Sequence, residues 1–186
     1  RSGVTGLSFF GFSFFVFLHN VQFIRRCFDL AERGRGKVSP NPLVGCIVVD
    51  AKGNSIAEGW HEECGGIHAE VAAIGNAQRS GCELYVNHEP CCTHGRQPPC
   101  TDAIIRSGIR RVIFGARDPV NSGAEVLKGA GIDVIGPVLE SECRRLNRGF
   151  FSLVENDRPW VTLKKAMQTD GSIQGKITSK EQDQWS

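Results

Sequence analysis

The chain has 186 residues, 23% of them charged, and its formal net charge is only +2. This length allows one compact domain with an appendage, or two small domains. So small a net charge gives no argument for a nucleic acid or a membrane surface as the partner. The eight cysteines could form a disulfide framework, but only Cys91, Cys92 and Cys100 cluster, in a segment rich in His, Pro and Gly. Without secretory features, that pattern favours a bound metal over disulfides.

The first 20 residues form an apolar N-terminal extension, and residues 2–24 contain no Asp, Glu, Lys or Arg. Its phenylalanine-rich core, residues 7–18, is too short to span a bilayer comfortably. Because the sequence begins with Arg1 instead of Met, we expect a fragment or a processed form. Three interpretations of the extension stay open: the remnant of a targeting segment, a membrane-proximal anchor, or translated upstream sequence without a role.

The rest of the chain alternates helical and strand-like segments. Residues 21–36 carry a helical apolar stripe that ends at Gly34. The apolar run 43–50 predicts a buried strand, and a turn leads from it into a second strand, 55–60, so we expect a hairpin. Further helices are predicted over 68–78, 101–108, 124–130 and 140–154, and further strands over 82–87, 110–116 and 132–138.

This order of elements predicts a three-layer α/β/α fold. Helices would cover both faces of a five-stranded, mostly parallel mixed sheet, opened by one N-terminal antiparallel hairpin. We assign residues 21–156 to this domain. Residues 157–186 are too few to bury a core alone, and we interpret them as a linker and the truncated start of a second domain.

Four residues form the main candidate for a chemical site: His68, Glu70, Cys91 and Cys100. A catalytic zinc uses three N or S ligands and leaves its fourth position to water, and His68, Cys91 and Cys100 supply such a set. Both ligand segments lie near predicted helix starts, where partial positive charge helps to keep a thiolate deprotonated. Glu70 does not face His68 on a regular helix, so we predict that it shuttles a proton instead of binding metal. His-x-Glu followed by Pro-Cys-x-x-Cys is the signature of zinc base deaminases, and here the second cysteine follows at a longer spacing.

A structural zinc site with four protein ligands is the alternative interpretation. Cys92 and His94 are both available as a fourth ligand. We interpret Cys92 as a small packing residue that points away from a metal held by its neighbour. Catalysis is favoured because a strand leads directly into Glu-Pro-Cys, and active sites in such sheets gather at the C-terminal ends of the strands.

The spacing of the two cysteine ligands narrows the class of deaminase. Eight residues separate Cys91 from Cys100, whereas most nucleoside and tRNA deaminases of this class have two. With its neighbouring motifs, the chain resembles the deaminase domain of the bifunctional riboflavin-biosynthesis deaminase/reductase family, which has a cytidine deaminase-like fold. The motifs that carry the resemblance are SPNPLVG (39–45), GWH (59–61), GGIHAE (65–70), EPCCTHGRQPPC (89–100), ARDP (116–119), LNRGFF (146–151) and RPWVTLKKAMQTDGSI (158–173).

The resemblance implies an activity, a cofactor and a set of substrate contacts. The activity is hydrolytic deamination of 2,5-diamino-6-ribosylamino-4(3H)-pyrimidinone 5′-phosphate to 5-amino-6-ribosylaminouracil 5′-phosphate and ammonia, with one catalytic Zn²⁺. Asn41 would bind the ring, and His61 the ring or the ribose. Arg96 and Asp118 would contact the phosphoribosyl end, where a guanidinium suits a phosphate.

Three positions depart from the family pattern. Thr93 stands where the family often has a substrate-contacting histidine. The turn after Asp118 is shorter here, so Val120 takes the place of a family asparagine, and Asn121 beside it is the expected substitute. His88 occupies a usually apolar place. These departures concern substrate contacts and leave the metal site unchanged.

The resemblance also implies partners and a location. NADPH would serve only the reductase domain, of which residues such as Lys164 and Asp170 are the start, so we expect no reductase activity from this chain. We expect a small phosphoribosyl pyrimidinone as the ligand, no nucleic acid, no membrane, and a homo-oligomer. The expected location is the cytoplasm, or the plastid if the source is a photosynthetic eukaryote. Another zinc nucleoside or tRNA-type deaminase and a catalytically inactive zinc module are the alternatives.

Overall fold

The computed structural model describes residues 7–75, 78–163 and 167, with side chains from residue 17 onward. The described residues form helices and strands that alternate along most of the chain. The helices are α1 (Leu7–Glu32), α2 (Ala69–Ile74), α3 (Cys100–Ser107), α4 (Gly123–Gly129), α5 (Glu140–Leu146) and α6 (Arg148–Asn156). The strands are β1 (Gly45–Val49), β2 (Ser55–Trp60), β3 (Glu83–His88), β4 (Arg111–Ala116) and β5 (Asp133–Ile135).

The five strands form one mixed sheet in the order β2-β1-β3-β4-β5. β1 and β2 form the predicted antiparallel hairpin, while β3 pairs parallel with β4 and β4 with β5. β1 also pairs antiparallel with β3, so β1 alone runs opposite to the other four strands, and the predicted mostly parallel mixed sheet is confirmed. The reason is that the crossover through α2 makes β3 parallel to β2, and β1 lies between these two strands.

Helices cover both faces of the sheet, because successive strand residues point to opposite sides. Val48 and Leu84 pack in a cluster with residues of α2, α3 and α4. Their neighbours Ile47 and Tyr85 pack in a second cluster with residues of α1, α5 and α6. The predicted three-layer α/β/α architecture is confirmed.

Two glycines set how closely the helices approach the sheet. A Cβ atom at Gly45 would lie 2.2 Å from the carbonyl oxygen of Cys27 in α1. A Cβ atom at Gly59 would lie 2.5 Å from the carbonyl oxygen of Ala69 in α2. The start of α2, which carries the His-Ala-Glu motif, is therefore held directly against β2.

Helix α1 begins at Leu7, well before the predicted start at residue 21. The boundary that we placed after residue 20 therefore lies inside one helix, and the division into domains stays a prediction. The sequence over residues 7–18 is almost uniformly apolar and has no helical stripe from which its start could be predicted. Within the described ranges, no helix combines the length and apolar character needed to cross a membrane.

Two predicted elements near the C-terminus were wrong in extent. Residues 140–154 form two helices, joined at Asn147, because the buried Asn147 amide bonds to a distant loop. Its Oδ1 accepts from the Leu43 amide at 2.8 Å, and its Nδ2 donates to the Leu43 carbonyl at 2.9 Å. Strand β5 is shorter than the predicted 132–138 because Pro137 has no amide hydrogen for the ladder. Lys164 and Asp170 lie outside the described residues.

Candidate metal centre and active site

His68, Cys91 and Cys100 come together at the end of the sheet where β3 finishes. His68 caps the start of α2, Cys91 lies in the loop after β3, and Cys100 is the first residue of α3. Their ligand atoms all lie within 4.8 Å of one another. Nδ1 of His68 is 3.1 Å from Sγ of Cys100 and 3.5 Å from Sγ of Cys91.

This donor set fits Zn²⁺. Tetrahedral Zn–S and Zn–N bonds of about 2.3 and 2.0 Å place a nitrogen and a sulfur ligand about 3.5 Å apart. The observed separations are close to this value, so Nδ1 is the His68 atom that faces the metal position. Among the described residues, neither alternative ligand belongs to the group: Sγ of Cys92 lies 3.9 Å from Oδ1 of Asn121, and His94 is exposed. The group supplies three ligands, as a catalytic zinc requires.

The surroundings of Cys91 stabilise its thiolate. Its Sγ accepts a hydrogen bond from the backbone amide of Cys100 at 3.3 Å, at the positive end of α3. The pKa of the Cys91 thiol is lowered to about 4, chiefly by a hydrogen bond from the Cys100 thiol and further by His68. The pKa of Cys100 is raised because Cys100 keeps the proton shared between the two sulfurs. A metal bound by both sulfurs displaces that proton.

Glu70 is a buried carboxyl group beside the metal position. It lies in the first turn of α2 and is 4% exposed. Burial raises its pKa, and the negative charge of Cys91 raises it further. A raised pKa makes the carboxyl group easier to protonate, which suits a group that takes up a proton and passes it on.

These residues line a cavity of about 550 Å³, a volume that suits a small-molecule ligand. The five predicted substrate-binding residues line the same cavity: Asn41, His61, Arg96, Asp118 and Asn121. The structure therefore brings the predicted site residues around one space, with Cys100 included through the metal group. The role of each residue stays a prediction.

His61 is buried, and both of its ring nitrogens are engaged. Nδ1 lies 3.0 Å from the carbonyl oxygen of Ile67, and Nε2 lies 3.2 Å from Nδ2 of Asn41. A carbonyl oxygen only accepts, so Nδ1 carries the hydrogen and Nε2 accepts from the Asn41 amide. His61 thereby fixes the Asn41 side chain with Nδ2 towards the ring and Oδ1 away from it.

Arg96 is exposed at the cavity and lies over Gly65. A Cβ atom at Gly65 would come within 2.9 Å of Nη1 of Arg96, and Gly65 has a φ of +84°, which favours glycine. The neighbouring Gln97 donates a hydrogen bond from Nε2 to the Gly65 carbonyl at 3.2 Å. The absence of a side chain at Gly65 thus leaves room for the guanidinium against the segment before the His-Ala-Glu motif.

Asp118 organises the turn that closes one side of the cavity. Its Oδ1 accepts from the backbone amides of Val120 at 2.7 Å and Asn121 at 2.9 Å. Burial alone raises the pKa of Asp118, but the hydrogen bond from His88 and those two amides lower it to about 2. Thr93 donates from its hydroxyl to Oδ1 of Asn121 at 2.9 Å, so one departure from the family pattern contacts the expected substitute for the missing asparagine.

Glu89 has a structural role that we did not predict from the sequence. Its carboxylate accepts from the backbone amide of Asp118 at 3.1 Å and from that of Ala124, in the first turn of α4, at 2.9 Å. Next to it, a Cβ atom at Gly123 would lie 1.8 Å from the Pro90 carbonyl oxygen. These contacts fix the segment that leads into Cys91. The sequence feature that could have indicated this role is an acidic residue directly after a predicted buried strand, since a buried carboxylate needs hydrogen-bond partners.

Comparison with known proteins agrees with this geometry. Residues 19–116, more than half of the chain, match the family model of the cytidine and deoxycytidylate deaminase zinc-binding region. The fold and the His/Cys/Cys group with its buried carboxyl are those of a zinc-dependent deaminase. The chain belongs to the cytidine and deoxycytidylate deaminase family.

Within that family the chain is similar to proteins of riboflavin biosynthesis. It is 44% identical over 160 residues to riboflavin biosynthesis protein RibD of Actinobacillus pleuropneumoniae, covering 83% of this chain and 42% of that protein. It is 40% identical over 161 residues to riboflavin biosynthesis protein PYRD, chloroplastic, of Arabidopsis thaliana, and the match covers 83% of this chain and 38% of that protein.

A solved structure is similar over almost the whole chain. It is that of a diaminohydroxyphosphoribosylaminopyrimidine deaminase/5-amino-6-(5-phosphoribosylamino)uracil reductase from Thermotoga maritima, with 40% identity and a TM-score of 0.81. The match covers 90% of this chain and 52% of that one. The chain therefore spans about half or less of the length of these relatives.

Proposed function

We propose that this chain hydrolytically deaminates 2,5-diamino-6-ribosylamino-4(3H)-pyrimidinone 5′-phosphate, which we call the ribotide. The observation that carries the proposal is that Arg96 and Asp118 line the same cavity as Glu70 and the metal group. An exposed guanidinium and an ionised carboxylate suit a ligand that carries both a phosphate and ribose hydroxyls. The names of the similar proteins support the same substrate class.

The reaction replaces an amino group by a carbonyl oxygen. Bound Zn²⁺, held by His68, Cys91 and Cys100, supplies the Lewis acidity that lowers the pKa of the attacking water. The water oxygen forms a bond to the ring carbon that bears the 2-amino group, and the C–N bond of that amino group breaks. Glu70 carries the two water protons in turn, one to the ring nitrogen beside the attacked carbon and one to the departing amino nitrogen, so water and substrate give ammonia and the uracil product.

The other residues hold the ribotide in place. Oδ1 of Asn41, turned away from His61, accepts a hydrogen bond from the pyrimidinone ring. Arg96 binds the phosphate through paired hydrogen bonds. Asp118 accepts from a ribose hydroxyl, because its pKa of about 2 keeps it negatively charged and therefore unsuited to the phosphate. Asn121 lies beside Asp118 at the same end.

Ammonia release tests the proposal. The purified, zinc-loaded chain is incubated with the ribotide, and in parallel with deoxycytidylate, beside a Glu70→Gln variant. Release from the ribotide by the wild type alone supports the proposal. Release from deoxycytidylate only would indicate another zinc deaminase, and no release despite full zinc content would indicate an inactive zinc module.

The remaining expectations stay predictions. We propose a homo-oligomer, which light scattering of the purified chain would test, and no nucleic-acid partner, which a filter-binding assay would test. The proposed location is the cytoplasm, or the plastid in a photosynthetic eukaryote, as the name of the Arabidopsis thaliana relative indicates for that protein.

A further inference from the structure

His88 is a buried histidine at the cavity that the proposed reaction does not use. It is the last residue of β3, is 4% exposed and lines the cavity. Its Nε2 lies 3.1 Å from Oδ2 of Asp118. Its Nδ1 is buried and has no hydrogen-bond partner among the residues whose side chains are described. Because an imidazole costs more to bury than an apolar side chain, its one hydrogen bond requires an explanation.

The fold holds the imidazole of His88 against Asp118, and the chemistry of the two groups gives the direction of their hydrogen bond. His88 pairs with Ala116 in the parallel ladder of β3 and β4, and Asp118 follows two residues later. Phe150 and Phe151 of α6 pack against the imidazole, with ring centroids at 5.3 and 5.8 Å. A carboxylate only accepts, so Nε2 of His88 carries the hydrogen and donates it to Asp118.

A continuous set of hydrogen bonds runs from His88 along the cavity wall. Oδ2 of Asp118 accepts from Nε2 of His88 and also from Nδ2 of Asn121, the latter at 3.0 Å. Oδ1 of Asn121 in turn accepts from the hydroxyl of Thr93. His88 and Thr93 depart from the family pattern, and Asn121 is the expected substitute for the asparagine that Val120 replaces; here the three residues are joined through Asp118.

We propose that His88 is a positioning residue that orders the 118–121 turn through Asp118 and thereby sets the affinity for the phosphoribosyl end of the substrate. The inference rests on the proposed function, since it takes the ribotide as the ligand. The side-chain hydrogen bond of His88 goes to Asp118 and not to His68, Cys91 or Cys100. Substitution of His88 should therefore raise KM and leave kcat and the affinity for zinc almost unchanged.

Three substitutions of His88 separate positioning from simple packing. In His88→Gln, the amide nitrogen reaches about as far as the imidazole Nε2 and still donates to Asp118. In His88→Asn, the amide nitrogen is too short to reach Asp118, and His88→Leu has no donor. We expect the Asn and Leu variants to raise KM about tenfold, the order expected when one hydrogen bond to a charged group is lost. kcat should stay within about twofold, and the Gln variant should restore most of the affinity.

A double-mutant cycle tests whether the effect passes through Asp118. If it does, adding His88→Leu to Asp118→Ala raises KM no further than Asp118→Ala alone. Additive effects of His88→Leu and Asp118→Ala on KM would overturn the proposal. Among the single variants, it is overturned if His88→Leu keeps the wild-type KM, if His88→Gln has a KM as high as His88→Asn, or if the substitutions lower kcat instead of raising KM.

A measurement without turnover separates this inference from the proposed function. ¹⁵N spectra of the histidine rings should show a hydrogen on Nε2 of His88, and that signal should shift in Asp118→Ala. A hydrogen on Nδ1 alone would overturn the inference. If the wild type releases no ammonia from the ribotide, the proposed function fails, and calorimetry with the ribotide decides the inference. His88→Leu must then raise Kd and His88→Gln must restore it, or the inference fails too.

Discussion

The backbone amide of Cys100 donates a hydrogen bond to Sγ of Cys91 across 3.3 Å. The two ends of the segment between these cysteines are thereby joined by the first residue of α3. The eight residues between them can extend away from the metal position, and Arg96 within them reaches the cavity. The long spacing thus combines an ordinary zinc geometry with a cationic group for the substrate.

Metal content should depend on Cys91 and not on its neighbour. We expect one zinc per purified chain, measured by atomic emission. Cys91→Ser should lower the affinity for zinc by about 100-fold or more, since the loss of a direct ligand exceeds the effect of losing a supporting residue. Cys92→Ser is the matched control and should keep its zinc. Equal loss in both variants would contradict the assigned ligand set.

Gly65→Ala should weaken substrate binding by displacing Arg96. The new Cβ atom meets the Arg96 guanidinium, while the positive φ adds a backbone cost of about 1 kcal/mol. We expect about a tenfold rise in KM for the ribotide, from steady-state kinetics. Gly36→Ala has a similar φ of +81° with nothing within 4 Å of the new atom. It should lose similar stability, measured by urea unfolding, and keep its KM; a raised KM in this control would refute the explanation.

Asp118 should make the fold sensitive to acid. Its pKa is lowered from 3.8 to about 2 in the folded chain, so its stabilising contribution is fully present above about pH 4 and is lost as the pH falls to about 2. The shift corresponds to about 2 kcal/mol of unfolding free energy. Urea unfolding at several pH values should show this loss in the wild type. The Asp118→Asn variant keeps all other titrating groups, so its unfolding free energy should not show the loss that Asp118 causes between about pH 4 and 2. Parallel curves of unfolding free energy against pH for the two proteins would contradict this role of Asp118.

Asn147→Ala should destabilise the fold although Asn147 is far from the chemistry. It would leave the amide of Leu43 buried without a partner, which costs about 1–3 kcal/mol, while the Leu43 carbonyl keeps its hydrogen bond from Nδ2 of Asn87 at 3.0 Å. Urea unfolding measures the change. Asn156→Ala, at the exposed end of α6, is the control and should stay within about 0.5 kcal/mol of the wild type.

The sequence predicts much of the fold and the grouping of the metal-binding residues. Strand β2 has its predicted bounds, because a turn at one end and a polar segment at the other define it. His68, Cys91 and Cys100 could be grouped because their segments follow strands whose ends meet at one edge of the sheet. Such features follow from local patterns and short spacings.

Features that depend on distant contacts could not be predicted. The break at Asn147 exists because of a loop more than 100 residues away, at Leu43. The partners of Glu89 lie after the next strand, and His88 stands out in the sequence only as a polar residue in a usually apolar place. Nothing in the neighbouring residues indicates that its ring faces Asp118. These are tertiary contacts, which local propensity does not encode.

The central claim is that Glu70 and the metal group remove the 2-amino group of the ribotide. It is tested most directly with ribotide that carries ¹⁵N in that group, incubated with the zinc-loaded chain. We predict one ¹⁵N-ammonia for each substrate consumed by the wild type and none from Glu70→Gln. Unlabelled ammonia, equal release from the variant, or intact ribotide in the presence of one zinc per chain would contradict the claim.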